Sequence, residues 1–586
     1  MRSLLSLTAL TIPLLCLQLH AATYTVSDSR DTPGIPTPNT LRWAISMANN
    51  NRNIHDTISF NLPGPLFTIQ LADTLPRLDD PAGVFIDGLT QTGAAIGASP
   101  PVTLVLLVEL DGSMLPYGAG LRLDAGQNVI RGLVIHSCPE DGVLIMSSDD
   151  NLIEYNIIGL DPSGSIPRGN GRALTGLYAG VRIEASETDA ERNLIQMNVI
   201  SDNYAEGVAI WSCPPDCFSF DNVVTRNHIG TDQLGFVDLG NRVTGVYIGE
   251  ASYDNAVNNN LISGNDVDGV SIVGLPEVGA ISRRNIVDGN LIGLDIQNAP
   301  LPNGESGVSI GMYNRQVYGF ANDNTIANNT IAFNIGNGVV VAEDQTHLFN
   351  ADSNRITQNS TYNNGRLGID LDNDGVTQND PGDPDMSANQ ACNFPVITSA
   401  IFQSGATTVR GSVDAGGAVS QAVVEVFQAM TDPSGNGEGA VYLGACAPDN
   451  AGNWALVIQG GVQTGDTLTA TCTDTENNTS EFSAVSEITR ASPVHAAPSF
   501  ADALHIQVYP SPSSGSFTVM IQSALAAPMH IRLYTMDGKL TQECYSGRIQ
   551  AGTSSLSVQL AGISPGLYML ETVTPRQRAS TPILIW

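Results

Sequence analysis

Asparagine and glycine return at fixed distances through the middle of this chain, and that rhythm restricts its fold more than any other feature. The pattern Asn-x-apolar-x-x-Asn occurs at residues 151–156, 193–198, 222–227, 255–260, 285–290, 324–329 and 354–359. In most of these an aliphatic residue follows two positions after the second Asn, as Ile158 and Ile200 do. Gly-Val then recurs at Gly142, Gly180, Gly207, Gly245, Gly269, Gly307 and Gly338, and Leu-Gly-Ile-Asp takes that place at Gly368. A helix would need apolar residues three and four apart and would tolerate few Asn or Gly. Short β-branched triplets punctuated by turn residues describe strands and bends instead. One such coil cannot bury its apolar face alone, and stacking neighbours solves that. Stacked at roughly 4.8 Å, each Asn of a column donates to one neighbour and accepts from the other, which a buried amide requires. The repeated Gly is expected to make the bend.

The arc between the second Asn and the next Gly alternates in length. It is short from Asn198 to Gly207 and from Asn260 to Gly269, and long from Asn156 to Gly180, Asn227 to Gly245 and Asn290 to Gly307. One corner therefore bulges at every other coil, and aligned insertions on a solenoid often form its binding surface. Asp161, Asp232 and Asp295 sit in these bulges, as candidate ligand-binding residues or as Asx-turn formers. Glu206 and Asp268 immediately precede the Gly of intervening coils. Two coils apart, about 10 Å at sheet spacing, they are the candidate catalytic acid–base pair, close to the separation an inverting glycosidase uses. The same place is held by Ser306 and Asn337, so a plain turn role competes with catalysis. In 370–380, Asp370, Asp372 and Asp374 precede Gly375 as in a calcium loop, but Pro381 stands where a bidentate Glu belongs. Asp380 is the substitute ligand. The segment reads either as a Ca²⁺ site or as an acidic exit loop without metal.

The formal charge is −33 and lysine occurs once, at Lys539. Such a surface disfavours nucleic acid and anionic lipid. Residues 1–22 read as a secretory signal peptide, with Arg2, an apolar run and cleavage near Ala21 or Ala22. No other run resembles a membrane span. Export permits disulfides. Cys138, Cys213, Cys217, Cys392, Cys446, Cys472 and Cys544 follow the leader, an odd number that leaves one unpaired unless processing removes it. Cys213 and Cys217 suit a local disulfide or free loop thiols better than zinc, and Cys446 with Cys472 is the expected bridge between strands of a later domain.

Over residues 23–390 the repeat resembles the right-handed parallel β-helix proteins of the pectin-lyase-like superfamily. The segment 40–49, with Leu41, Ala44, Ile45 and Ala48 at helical spacing behind Asn39 and Thr40, is similar to the helical cap of that superfamily. The resemblance implies architecture and leaves activity open, because this fold carries lyases, hydrolases, adhesins and spacers. A uronate lyase of this class implies Ca²⁺ and a basic residue, and the repeat region has no Lys. Residues 391–489 read as a β-sandwich and resemble bacterial immunoglobulin-like modules; 490–504 read as a linker. Residues 505–586 carry Tyr509, Pro510, Pro512, Gly515 and Phe517, then Tyr534, Asp537, Gly538 and Lys539, then Gly566 and Tyr568. This layout is similar to the C-terminal sorting domain of type IX secretion cargo of Bacteroidota, with Ser511 where Asn is common. It implies an all-β protein handled by the type IX machinery and secreted or held at the outer cell surface. Two roles remain: a non-catalytic glycan-binding, adhesion or structural protein, or a polysaccharide hydrolase or lyase acting on the β-helix face.

Overall fold

A computed structural model describes residues 20–64, 67–97, 103–173, 178–275, 279–314, 317–344, 350–491, 504–523 and 525–586. Residues 1–19 of the expected signal peptide and 492–503 of the expected linker lie outside these. The chain divides into two compact units, residues 1–490 and 491–586.

The first unit is a parallel β-helix. Its coils contribute to three parallel sheets of eleven, ten and nine strands among the described residues. Register is kept residue for residue: Leu152, Ile153 and Glu154 face Leu194, Ile195 and Gln196, which face Val223, Val224 and Thr225. The central residue of each triplet points inward, so Ile153, Ile195, Val224, Val257, Val287 and Ile326 form a fully buried column. Each such side chain is worth about 1.5–3 kcal/mol when buried, and neighbouring coils provide much of that cover.

Asn columns mark all three corners of the coil. Nδ2 of Asn198 donates to Oδ1 of Asn227, Asn227 to Asn260, Asn260 to Asn290, and so on to Asn359, at 2.9–3.0 Å. A second column runs from Asn128 through Asn193 to Asn354. A third runs from Asn170 through Asn203, Asn241, Asn265, Asn303 and Asn334 to Asn364. The repeat pattern shows the first two columns. The third lies within the arcs, short and bulging alike, between the second Asn and the next Gly, outside the repeat pattern.

The repeated Gly has a different role from the expected one. These glycines do not adopt positive φ. A Cβ at Gly207 would lie 2.7 Å from the Gly245 carbonyl oxygen, 2.7 Å from Ile229 Cγ2 and 2.8 Å from Asn241 Nδ2, so the position is Gly because successive coils touch there. In the first two columns the left-handed corners fall on the residue before each Asn, whatever it is: Tyr155, Met197, Arg226 and Gln358 all have φ of 53–55°. Non-Gly residues there cost about 1–2 kcal/mol each, offset by the Asn bonds that follow.

The helix Leu41–Asn50 covers the start of the solenoid. Thr40 caps it by accepting the Trp43 N–H, and Leu41, Ala44, Ile45 and Ala48 are buried, as the spacing predicts. At the other end, two four-stranded sheets with their own apolar core follow within the same unit. They close the solenoid. Glu438 accepts from the backbone and side-chain amides of Asn364, taking the place of the next Asn in that column. Glu425 accepts from the Thr357 hydroxyl and the Gln358 N–H, and Glu481 from the Leu371 N–H. Phe427 and Phe482 join the solenoid core. The open edges of all three sheets thus meet acceptors from the following domain.

The expected Cys446–Cys472 bridge does not form. Both residues pair with Val424, on opposite sides of its strand. Two inter-strand spacings, roughly 9–10 Å, exceed the reach of a disulfide.

The second unit is a small all-β domain of a three-stranded and a four-stranded sheet. Its core includes Phe517, Val519, Leu533, Tyr568 and Ile583.

Candidate functional site

Outward residues of the nine-stranded sheet build the richest cluster of chemistry on the solenoid. Arg182, Ala209, Tyr247 and Ser271 occupy successive outward positions, with Glu184, Trp211 and Gly249 one row on. A side chain at Gly249 would collide with the Tyr247 ring, so Gly lets that ring lie along the sheet. Trp211 meets Tyr247 edge-on at 6.1 Å, and Tyr247 meets Tyr313 at 4.8 Å. The Arg182 guanidinium lies 4.8 Å from the Trp211 ring and 5.3 Å from Tyr178. It also makes a bidentate pair with buried Asp141, at 2.8 and 2.9 Å. Burial pushes the Asp141 carboxyl up to about 6 against the pull of Arg182.

Glu206 lies against this cluster and is buried. Tyr313 donates its hydroxyl to Glu206 Oε1 at 2.5 Å, while Oε2 is buried with no hydrogen-bond partner among the described residues. Burial raises the Glu206 pKa, opposed by the Tyr313 hydrogen bond and by Arg182. Asp268 is also buried. It accepts from the Ser271 hydroxyl at 3.0 Å and from the Ser306 N–H at 3.0 Å. One coil, that of the strand Val246–Gly249, separates the two carboxyls, and each lies two residues before a strand of the same sheet.

The loop aspartates organise their own turns. Asp161 accepts from the Ser163 hydroxyl and Ile166 N–H, Asp232 from Phe236 and Val237, and Asp295 from Gln297 and Ala299. Beneath two of these loops, on the ten-stranded sheet, is a cavity of about 400 Å³ lined by residues including Arg226, His228, Gln233, Asn259, Leu261 and Ile296. Burial lowers the His228 pKa, more than the nearby backbone of Asp232 and Gln233 raises it, so the ring is neutral.

At the solenoid exit, Asp370 accepts from the Gly375 N–H, and burial pushes its pKa up to about 6. Asp372 accepts from the Glu343 N–H at 3.4 Å. Asp370, Asp372 and Asp374 do not gather as a ligand set. Asp380 does, with Asp383 and Asp385, their carboxylate oxygens all within 4.8 Å of one another. Asp380 Oδ1 is buried without a hydrogen-bond partner among the described residues, and burial with neighbouring carboxylates pushes Asp383 up to about 7.

Sequence reasoning missed Arg182, Trp211, Tyr247 and Tyr313. For Arg182 and Tyr247 a signal existed, because the second residue after each repeated Gly faces outward. Tyr313 comes from an excursion between coils and meets Glu206 across 107 residues, which no local pattern announces.

Three stacked parallel sheets with Asn-lined corners define the class of parallel β-helix proteins. Residues 116–299 match the right handed beta helix region family, and residues 507–585 match the secretion system C-terminal sorting domain. The chain is thus a right-handed parallel β-helix protein carrying a type IX sorting domain, exported to the cell surface or the extracellular space. Among solved structures, the Dettilon tailspike protein gp208 is 13% identical over 92% of this chain and 94% of its own, with a TM-score of 0.36. The periplasmic alginate epimerase AlgG is 12% identical over 54% of this chain and 73% of its own, with a TM-score of 0.28. Among the described residues no helix is long and apolar enough to cross a membrane.

Proposed function

We propose that this exported protein binds a polysaccharide through the outer face of its β-helix, in a non-catalytic adhesion or surface role. The observation that carries this reading is the Arg182–Trp211–Tyr247–Tyr313 cluster, whose half-buried Trp211 and Tyr313 offer rings beside charged groups. Aromatic faces with a polar rim suit sugar rings, which are apolar on one face and hydroxyl-bearing at the edge. Asp268 is occupied by internal partners and Glu206 is buried behind Tyr313, which favours binding over hydrolysis.

A second reading rests on Glu206. A carboxyl whose pKa is raised and whose second oxygen is free is suited to a general acid, with Asp268 as its base. Incubating the secreted protein with neutral and acidic polysaccharides, with reducing ends and unsaturated uronate recorded, separates the two. Binding that falls about tenfold in Trp211→Ala, with no cleavage, supports the first reading. Cleavage lost in Glu206→Gln and Asp268→Asn supports the second. Cleavage with neither variant affected removes both. For Ca²⁺, the proposed ligands are Asp380, Asp383 and Asp385, with the orphaned Asp380 oxygen as the supporting feature.

A further inference from the structure

We infer that Cys392 and Cys472 form a disulfide in the exported protein, fastening the exit turn of the solenoid to the domain that closes it. Cys472 is the neighbouring group that acts most strongly on the Cys392 thiol, raising its pKa, and both residues are buried, at 3% and 0% exposure. Their backbones are fixed independently of the sulfurs. Cys392 follows the short turn Ala388–Ala391 and donates its N–H to the Asn389 carbonyl at 3.1 Å. Asn389 in turn donates to the Thr479 carbonyl at 3.1 Å. The next residue, Ser480, accepts the Cys472 N–H at 2.9 Å and donates its own N–H to the Cys472 carbonyl at 2.8 Å. Polar bonds between the two segments therefore hold the two residues on neighbouring stretches of backbone, where the inferred bond of roughly 2.05 Å would join them.

Neither Cys446 nor the Cys213 and Cys217 loop competes for Cys472. Cys446 is two strands away across Val424. Cys213 and Cys217 face each other in their own loop through two backbone hydrogen bonds. Export takes the chain through an oxidising compartment, where such a pair persists.

The step is thiol–disulfide exchange with an oxidised dithiol oxidoreductase. One Cys thiolate attacks a sulfur of the carrier disulfide and expels the first carrier thiolate. The second Cys thiolate attacks the mixed disulfide and expels the other. The protein loses two protons and two electrons, and the carrier becomes a dithiol. Both residues are buried in the folded chain, so the finished bond is shielded from reductant.

The test is peptide mapping of the secreted protein, unfolded in urea with iodoacetamide and no reductant. The expected result is a Cys392 peptide joined to a Cys472 peptide, two hydrogens lighter than their sum and separated by reduction. Alkylation of both cysteines without reduction, or Cys472 joined to another cysteine, overturns the inference. A second measurement compares the urea midpoints of wild type and Cys392→Ser with and without reductant. A gap that narrows in reductant is expected, and a gap that reductant leaves unchanged overturns it.

Discussion

Replacing Asn260 by Ala removes one rung of a buried ladder, and the structure gives the cost. Asn260 Oδ1 accepts from the Asn227 backbone N–H at 2.9 Å and the Asn227 side chain at 3.0 Å. Its Nδ2 donates to the Val224 carbonyl at 2.9 Å and to Asn290 at 3.0 Å. All four bonds vanish with the amide. The Asn290 oxygen keeps the Asn260 N–H, but the Asn227 backbone N–H and one of its two side-chain N–H hydrogens are left buried and unpaired, the other staying on the Ile195 carbonyl. At about 1–3 kcal/mol for each unsatisfied group, the variant is expected to lose about 2–6 kcal/mol. Asn258→Ala is the control, since Asn258 lies in the same triplet but is only partly buried, and its side-chain partner Asn259 is exposed. It is expected to cost under about 0.5 kcal/mol. Urea unfolding followed by circular dichroism reads the difference, and amide hydrogen exchange locates it, with protection lost in the coils of Asn227 and Asn290 first. Equal midpoints for the two variants would refute the ladder as a source of stability.

Gly207→Ala is expected to destabilise the solenoid by about 1–3 kcal/mol, because its Cβ meets backbone at 2.7 Å; a Tm equal to wild type would show that the coils can spread there. Burial pushes the Glu438 and Glu481 carboxyls up to about 7 and about 8 in the folded chain, from an ordinary value of 4.5. A raised carboxyl pKa gives stability that is full below the unfolded value and declines as pH rises through the folded one. Unfolding free energy should therefore fall between about pH 4.5 and 8, and Glu438→Gln should flatten part of that slope; a wild-type slope of opposite sign would count against the assignment. Ca²⁺ should raise Tm at pH 8, where Asp383 is ionised, more than at pH 5.5, and Asp383→Asn should abolish the rise, read by thermal shift with Mg²⁺ as the comparison.

The stacking of coils was legible in the sequence because a parallel solenoid repeats one local solution at every level. Its Asn and inward Ile or Val must recur wherever the chain passes the same corner, so spacing alone reveals two of the three ladders. The sorting domain was legible for a similar reason, since its turns carry their own Pro and Gly. The left-handed corners were not, because the Asn that follows carries the signal while Tyr155 or Met197 takes the strain. Nor was the purpose of the repeated Gly, which depends on how closely the next coil approaches. The cluster around Glu206, the gathering of Asp380 with Asp383 and Asp385, and the contact of Cys392 with Cys472 were decided by tertiary structure. Each joins side chains from different turns or a different domain, and those meet only where coils, excursions and the closing sheets pack. The sequence by itself determined a stack of Asn-cornered coils and an export signal at its end. Only the fold decided which outward groups share a face, because that depends on the stagger between coils and not on the period within one.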